Sequence, residues 1–258
     1  MSIWRKKNLA KILGIIPLFL FANILVLYSG KGGNTGRFTE NFMCSVFDVT
    51  SIWKKKSVVI AIENLYFIIY FNFMFGTYIY KHFVKGCVYI FTRIPNRKQW
   101  FLKQAIQLYG ICAIYTLLYL FLHLGLCVYG SSETISADFI EVFALFFLLL
   151  SAVLMMSTLC INMISLLWGS NVGFCVSYII MIALMEISLN YEKIPVIGKM
   201  YFLSLCNPMS AMSVILLENP TEKIGFVLYY EVFITVMLWI CAGKIKRMDL
   251  SLSNKEKS

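Results

Sequence analysis

Four glutamates, Glu63, Glu141, Glu186 and Glu231, each stand inside a stretch of sequence that is otherwise almost continuously apolar. A carboxylate at the centre of a bilayer costs about 2.5–3.5 kcal/mol on insertion scales, so such residues face protein or water rather than lipid. Two readings follow from their chemistry. They are hydrogen-bonded links between helices, or they line an outer vestibule that attracts cationic or amphipathic cargo. Two polar stripes run beside them: Glu63, Tyr66, Tyr70 and Thr77 share one helical face, and Tyr109, Cys112, Thr116, Tyr119 and His123 share another. Spacing of that kind marks faces turned towards protein or a cavity.

Patterns of enzymatic chemistry do not accompany these residues. The two histidines, His82 and His123, form no HExxH, and neither GxSxG nor EExxxR occurs. SGKGGNTGRF has the glycines of a phosphate cradle without the order GxxxxGK[ST], and it follows no strand, so it reads as a flexible turn. Among the eight cysteines there is no CxxC and no Cys/His cluster at metal-ligand spacing. Cys112, Cys127, Cys160, Cys175 and Cys241 lie in apolar stretches and read as small apolar side chains. Cys44 and Cys206 fall outside those stretches, and sequence leaves open whether they pair. We expect no catalytic residue, metal or cofactor on this chain.

The elements that carry these residues follow from composition. The chain is 60% hydrophobic and only 14% charged, with a mean hydropathy of +0.77, whereas soluble domains are roughly 25% charged. That describes an all-α integral membrane protein. A helical span needs about 20 apolar residues, and six stretches meet that length approximately: 12–28, 58–80, 104–129, 139–161, 172–188 and 224–241. The whole chain, 1–258, is then one transmembrane domain. Outer segments occupy 29–57 and 189–223, and the apolar character of the second suggests that it re-enters the membrane between spans five and six.

Short cytoplasmic loops are enriched in Lys and Arg. With both termini in the cytoplasm, that side holds Arg5, Lys6, Lys7 and Lys11, the basic residues of 81–103, and Lys244, Lys246, Arg247, Lys255 and Lys257, which together are most of the chain's 23 cations. The net charge of +10 is therefore topological, matched to anionic lipid and not to nucleic acid. Trp4, Trp100, Trp168 and Trp239 fall near the inner boundary and Trp53 near the outer one, as indole rings prefer. Lys54, Lys55 and Lys56 run against the pattern and require snorkelling to outer headgroups.

The loop 81–103 is the most distinctive polar segment. It carries Lys81, Lys85, Arg93, Arg97, Lys98 and Lys103 and no acidic residue. Ile94, Pro95 and Asn96 break the helical run, and RKQWFLKQ restarts it. A helix from about Asn96 sets Arg97, Trp100 and Lys103 on neighbouring positions. The expected product is a short interfacial helix with an aromatic anchor and a basic face.

Gly76 and Thr77, then Thr92, Pro95, Asn96 and Arg97, then Lys103, resemble the GT, tP-x-[SN]-R and later Lys of type-2 ABC exporter permeases. The six spans and the Asn207–Pro208 step before the last of them are similar to that family too. The resemblance implies that the loop is a coupling helix docked on a separate ATPase, with Arg93, Pro95, Asn96, Arg97, Lys98, Trp100 and Lys103 at the joint. It also implies two copies of that ATPase, which bind ATP and magnesium, and a second permease, identical or related. The family often has an acidic residue before the GT pair. FNFMFGTYIY has none, which leaves the basic residues as the contacts. On this resemblance the chain is a multi-pass protein of a bacterial cell membrane that exports a peptide or other amphipathic compound, as in self-immunity. Glu63, Tyr66, Tyr70, Tyr119, His123, Glu141, Glu186 and Glu231 are the candidates for its translocation path. Two alternatives stand beside it: an intramembrane enzyme or ion-coupled transporter that uses the glutamates, and the membrane component of an ATP-driven vitamin or metal importer.

Overall fold

The computed structural model describes residues 11–14, 16, 38–46, 58–84, 96–130, 137–189, 207–208 and 219–247. Most of the first span, Lys54 to Lys56, Arg93, Pro95, residues 29–37 of SGKGGNTGRF, Cys206, the side chains of Cys44 and Glu63 and most of 189–223 lie outside the described residues. The regular structure that is described is helical. In chain order α1 is Phe38–Val46, α2 Val58–Phe75, α3 Arg97–Gly130, α4 Ala137–Trp168, α5 Ser170–Leu189 and α6 Pro220–Arg247.

Length and composition make α3 to α6 able to cross a membrane, with mean hydropathies of 1.7 to 2.6 over their apolar windows. Among the described residues these are the four candidate spans, and they support a multi-pass membrane protein. All four overrun the apolar stretches read from the sequence, α3, α4 and α6 by two turns or more in total. α3 has 34 residues and is about 51 Å long, against a hydrocarbon core of about 30 Å. Hydropathy falls where charges begin, but the backbone ladder continues through Lys and Gln, which are good helix formers. RKQWFLKQ is therefore the first two turns of α3, in place of the separate short helix expected from the sequence.

Helix ends follow local chemistry. Asn96 precedes α3 and accepts the Gln99 N–H through Oδ1 at 3.3 Å. Asn219 precedes Pro220 and accepts the Thr221 N–H at 3.0 Å, an Asn cap followed by a proline whose missing N–H costs nothing at that position. Between α4 and α5 the chain turns at Gly169, whose φ of 91° suits glycine and few others. A Cβ on Gly173 would run into Ser165, so glycine there permits the close antiparallel start of α5.

Helix α4 touches each of the other five elements, and residues 151–159 are buried without interruption. Its sequence ADFIEVFALFFLLLSAVLMMSTLCINMISLLW is apolar on every face, as a central helix must be. The apolar window of α4 is 67% buried, against 44% for α3 and 22% for α5 and α6. The last two therefore turn most of their surface outward. Aromatic rings fill the seam between α2 and α3: Phe67 lies 4.9 Å from the Tyr115 ring and 4.1 Å from that of Tyr119. Phe42 of α1 meets Phe139 of α4 edge-on at 5.0 Å.

Candidate functional site

Among the described residues, charge is sorted between the two ends of the bundle. The end where α2 and α4 finish and α3 and α5 start carries Lys11, Lys81, Arg97, Lys98 and Lys103, with Lys244 near the end of α6. The opposite end carries Asp138, Glu141, Glu186 and Glu222, with Lys223 among them.

At the basic end the chain enters and leaves the polar loop through a stiff joint. α2 stops at Phe75, Gly76 and Thr77 form a turn, and residues 78–84 are helical again. A Cβ on Gly76 would clash with the Asn72 carbonyl and lie 3.0 Å from the Phe174 ring and 3.1 Å from Ile161. Glycine thus lets α2, α4 and α5 converge at the break. Side chains from α4 stitch it. Asn162 accepts the Tyr80 N–H through Oδ1 at 3.0 Å and donates through Nδ2 to the Thr158 carbonyl at 2.8 Å. One turn deeper, the Ser157 hydroxyl donates to Asn72 Oδ1 at 3.1 Å. Asn72 is fully buried and Asn162 nearly so, and side-chain partners remove the desolvation penalty each would otherwise carry.

The far side of the loop is tied to the near side. Trp100 is 6% exposed and packs on Phe83, with ring centroids 6.1 Å apart. The Tyr78 hydroxyl donates to Gln107 Oε1 at 3.4 Å. Trp100 is thus a buried clamp between the two ends of the loop and not a lipid-facing anchor, whereas Trp168 and Trp239 are the exposed indoles among the described residues. Of the loop residues expected at an ATPase joint, Asn96 caps α3, Arg97 is half-buried, and Lys98 and Lys103 are exposed.

The glutamates are held separately. Glu141, near the start of α4, forms a 2.9 Å ion pair with Lys223 near the start of α6, tying those two helix ends. Glu231, near the middle of α6, accepts the Tyr109 hydroxyl of α3 at 2.8 Å. Glu186 is exposed on α5. Among the described residues no three His, Cys, Asp or Glu side chains come together in a way that could hold a metal ion. Tyr66, Tyr119 and His123 share the packed aromatic seam: Tyr119 lies 6.2 Å from Tyr66 and 4.5 Å from His123, and its hydroxyl donates to the Val46 carbonyl at 3.0 Å. Tyr70 stands at the basic end of the same seam, donating to the Lys11 carbonyl at 3.1 Å.

Asn207 is buried between α5 and α6. Its Nδ2 donates to the Leu184 carbonyl at 2.6 Å, and its own carbonyl accepts the Tyr230 hydroxyl at 3.1 Å. Tyr230 is ten residues beyond Pro220, about 15 Å along α6. Sequence reasoning singled out Asn207 but passed over Asn72, Ser157 and Asn162. An asparagine inside an apolar span is costly unless partnered, and that signal was present for both.

No family model, curated protein or solved structure matches the chain.

Proposed function

We propose that the chain is the six-span permease subunit of an ATP-driven exporter, coupled to a separate ATPase through its basic loop. The observation that carries this reading is the joint around Gly76 and Thr77. A segment that transmits force must be rigidly attached at both ends. Here one end is stitched to the central helix by Asn162, and the other continues into α3 with Trp100 clamped on Phe83. Movement of the cations beyond this joint would tilt α2 and α3 against α4. The sorting of charge between the two ends supports placing the basic one in the cytoplasm. Asn207, held well down the length of α6, supports an outer segment that folds back between spans five and six.

On this reading the chain catalyses nothing. Two ATPase copies hydrolyse ATP, and a second permease supplies the other half of the path. The cargo is a peptide or other amphipathic compound. Glu63, Glu186 and Glu231, with Tyr70, are candidates for the faces it meets, whereas Tyr66, Tyr119 and His123 pack between helices and Glu141 acts at the α4–α6 contact. Purification of the tagged protein from its own membrane in mild detergent, with mass spectrometry of what co-elutes, tests the proposal. A stoichiometric chain bearing a Walker A motif is expected, and Arg97→Glu should abolish its association while membrane insertion persists. A preparation with no ATPase, even after crosslinking through the loop, would overturn it.

A further inference from the structure

Helices α4 and α6 carry the same short pattern, Met-x-x-x-Cys, as Met156 with Cys160 and Met237 with Cys241. We infer that these four side chains form a binding site for a soft monovalent cation, copper(I), held by two thiolates with the two thioethers completing the shell. This goes beyond the transport reading and does not depend on it. It departs from the sequence-based expectation of a chain without metal.

The two patterns meet because α4 and α6 pack side by side and run parallel. Near their starts Glu141 pairs with Lys223 at 2.9 Å. Near their middles Tyr109 of α3 donates to Glu231 of α6 at 2.8 Å and stands beside Ser151 of α4. The offset between the helices at these two points agrees to within two residues. Carried further along both, it sets Met156 level with Met237 and Cys160 level with Cys241. The two thiols are near enough to act on each other electrostatically. In each helix the methionine lies one turn from its cysteine, on the same face. Met156 and Cys241 are buried, Met237 packs on the core, and Cys160 is partly exposed.

Sulfur chemistry selects the ion. Methionine alone in such a place is ordinary core packing, but here each thioether is paired with a thiol that has a second thiol at its level. Thiolate and thioether donors favour copper(I), whereas magnesium and calcium take oxygen. Zinc takes Cys, His or carboxylate ligands, and no three of those come together among the described residues. Each thiol releases one proton on binding, so copper(I) with two thiolates carries one negative charge. Lys244, one turn beyond Cys241 and within its electrostatic reach, offsets that charge in apolar surroundings. Cys160 lies about 12 Å and Cys241 about 9 Å from the ends of their helices. An ion arriving from that end of the bundle meets the thiols first and the thioethers one turn deeper.

The test uses the full chain in nanodiscs under anaerobic conditions, titrated with copper(I) held by a coloured chelator. Wild type should withdraw one equivalent. Cys160→Ser with Cys241→Ser should lose it, whereas Cys127→Ser with Cys175→Ser should keep it. Met156→Leu with Met237→Leu, which conserves volume, should weaken binding by about 10–100-fold, the scale on which supporting groups act on a metal. Withdrawal that survives in the Cys160 and Cys241 double variant means adventitious thiol binding only and overturns the inference. Unchanged affinity in the leucine pair overturns it, as does displacement of copper(I) by equimolar zinc. Should a variant fail to fold, selenomethionine-labelled wild type gives the answer without substitution: copper-edge X-ray absorption should show sulfur and selenium in the shell, and a shell without selenium refutes the site.

Discussion

Replacing Asn162 by leucine removes two hydrogen bonds of unequal importance. The Thr158 carbonyl, which accepts Asn162 Nδ2 at 2.8 Å, lies one turn back on the same helix and keeps its place in the backbone ladder of α4. The Tyr80 amide, 3.0 Å from Asn162 Oδ1, sits beside the Gly76–Thr77 break and loses its side-chain acceptor. A buried donor left without a partner costs about 1–3 kcal/mol, and coupling energies measured between helices in membranes reach at most about 1.7 kcal/mol. A local cost of about 1–2 kcal/mol is therefore expected, which multiplies the open population of residues 78–84 by about 5 to 30. Hydrogen exchange in nanodiscs, read on peptides covering 78–84, should accelerate by that factor. Peptides from the middle of α4 should remain protected. Ser157→Ala, which leaves Asn162 intact and removes the 3.1 Å bond to Asn72 together with the 2.9 Å bond to the Leu154 carbonyl of its own helix, should leave exchange at 78–84 unchanged. If Asn162→Leu leaves that exchange at the wild-type rate, the side chain does not stitch the joint and the transmission argument loses its support.

Glycines provide an opposed pair. Gly173→Ala forces a Cβ into Ser165 and should lower thermal stability in detergent by about 1–3 kcal/mol, whereas Gly110→Ala meets nothing within 4 Å and should raise it by about 0.5–1 kcal/mol; equal effects would refute the α4–α5 packing. The Glu141–Lys223 pair, with its carboxylate half exposed, should contribute less than about 1 kcal/mol, so Lys223→Gln should barely move the unfolding midpoint. Tyr109→Phe and Glu231→Ala should show a coupling of about 0.6–1.7 kcal/mol in a double-mutant cycle, and strict additivity would mean that the 2.8 Å bond is not maintained.

Some of this architecture is written in short-range chemistry. Apolar runs of span length identify α3 to α6 because the bilayer sets the length and every backbone polar group within it must be bonded along the helix. Asn96 and the Asn219–Pro220 step mark helix starts, since a cap acts within three residues of itself. The segregation of Lys and Arg is likewise legible along the chain. Tertiary structure alone decided the rest. Periodicity places Tyr119 and His123 on one face of a helix, but only packing fills that face with Phe67, Tyr115 and the Val46 carbonyl. An asparagine in an apolar stretch announces that it needs a partner without naming it, and the partners of Asn162 and Asn72, Tyr80 and Ser157, are more than eighty residues away. The glutamates make the same point: their cost in lipid is a property of the residue, but Lys223 for Glu141 and Tyr109 for Glu231 are set by which helices the fold brings side by side.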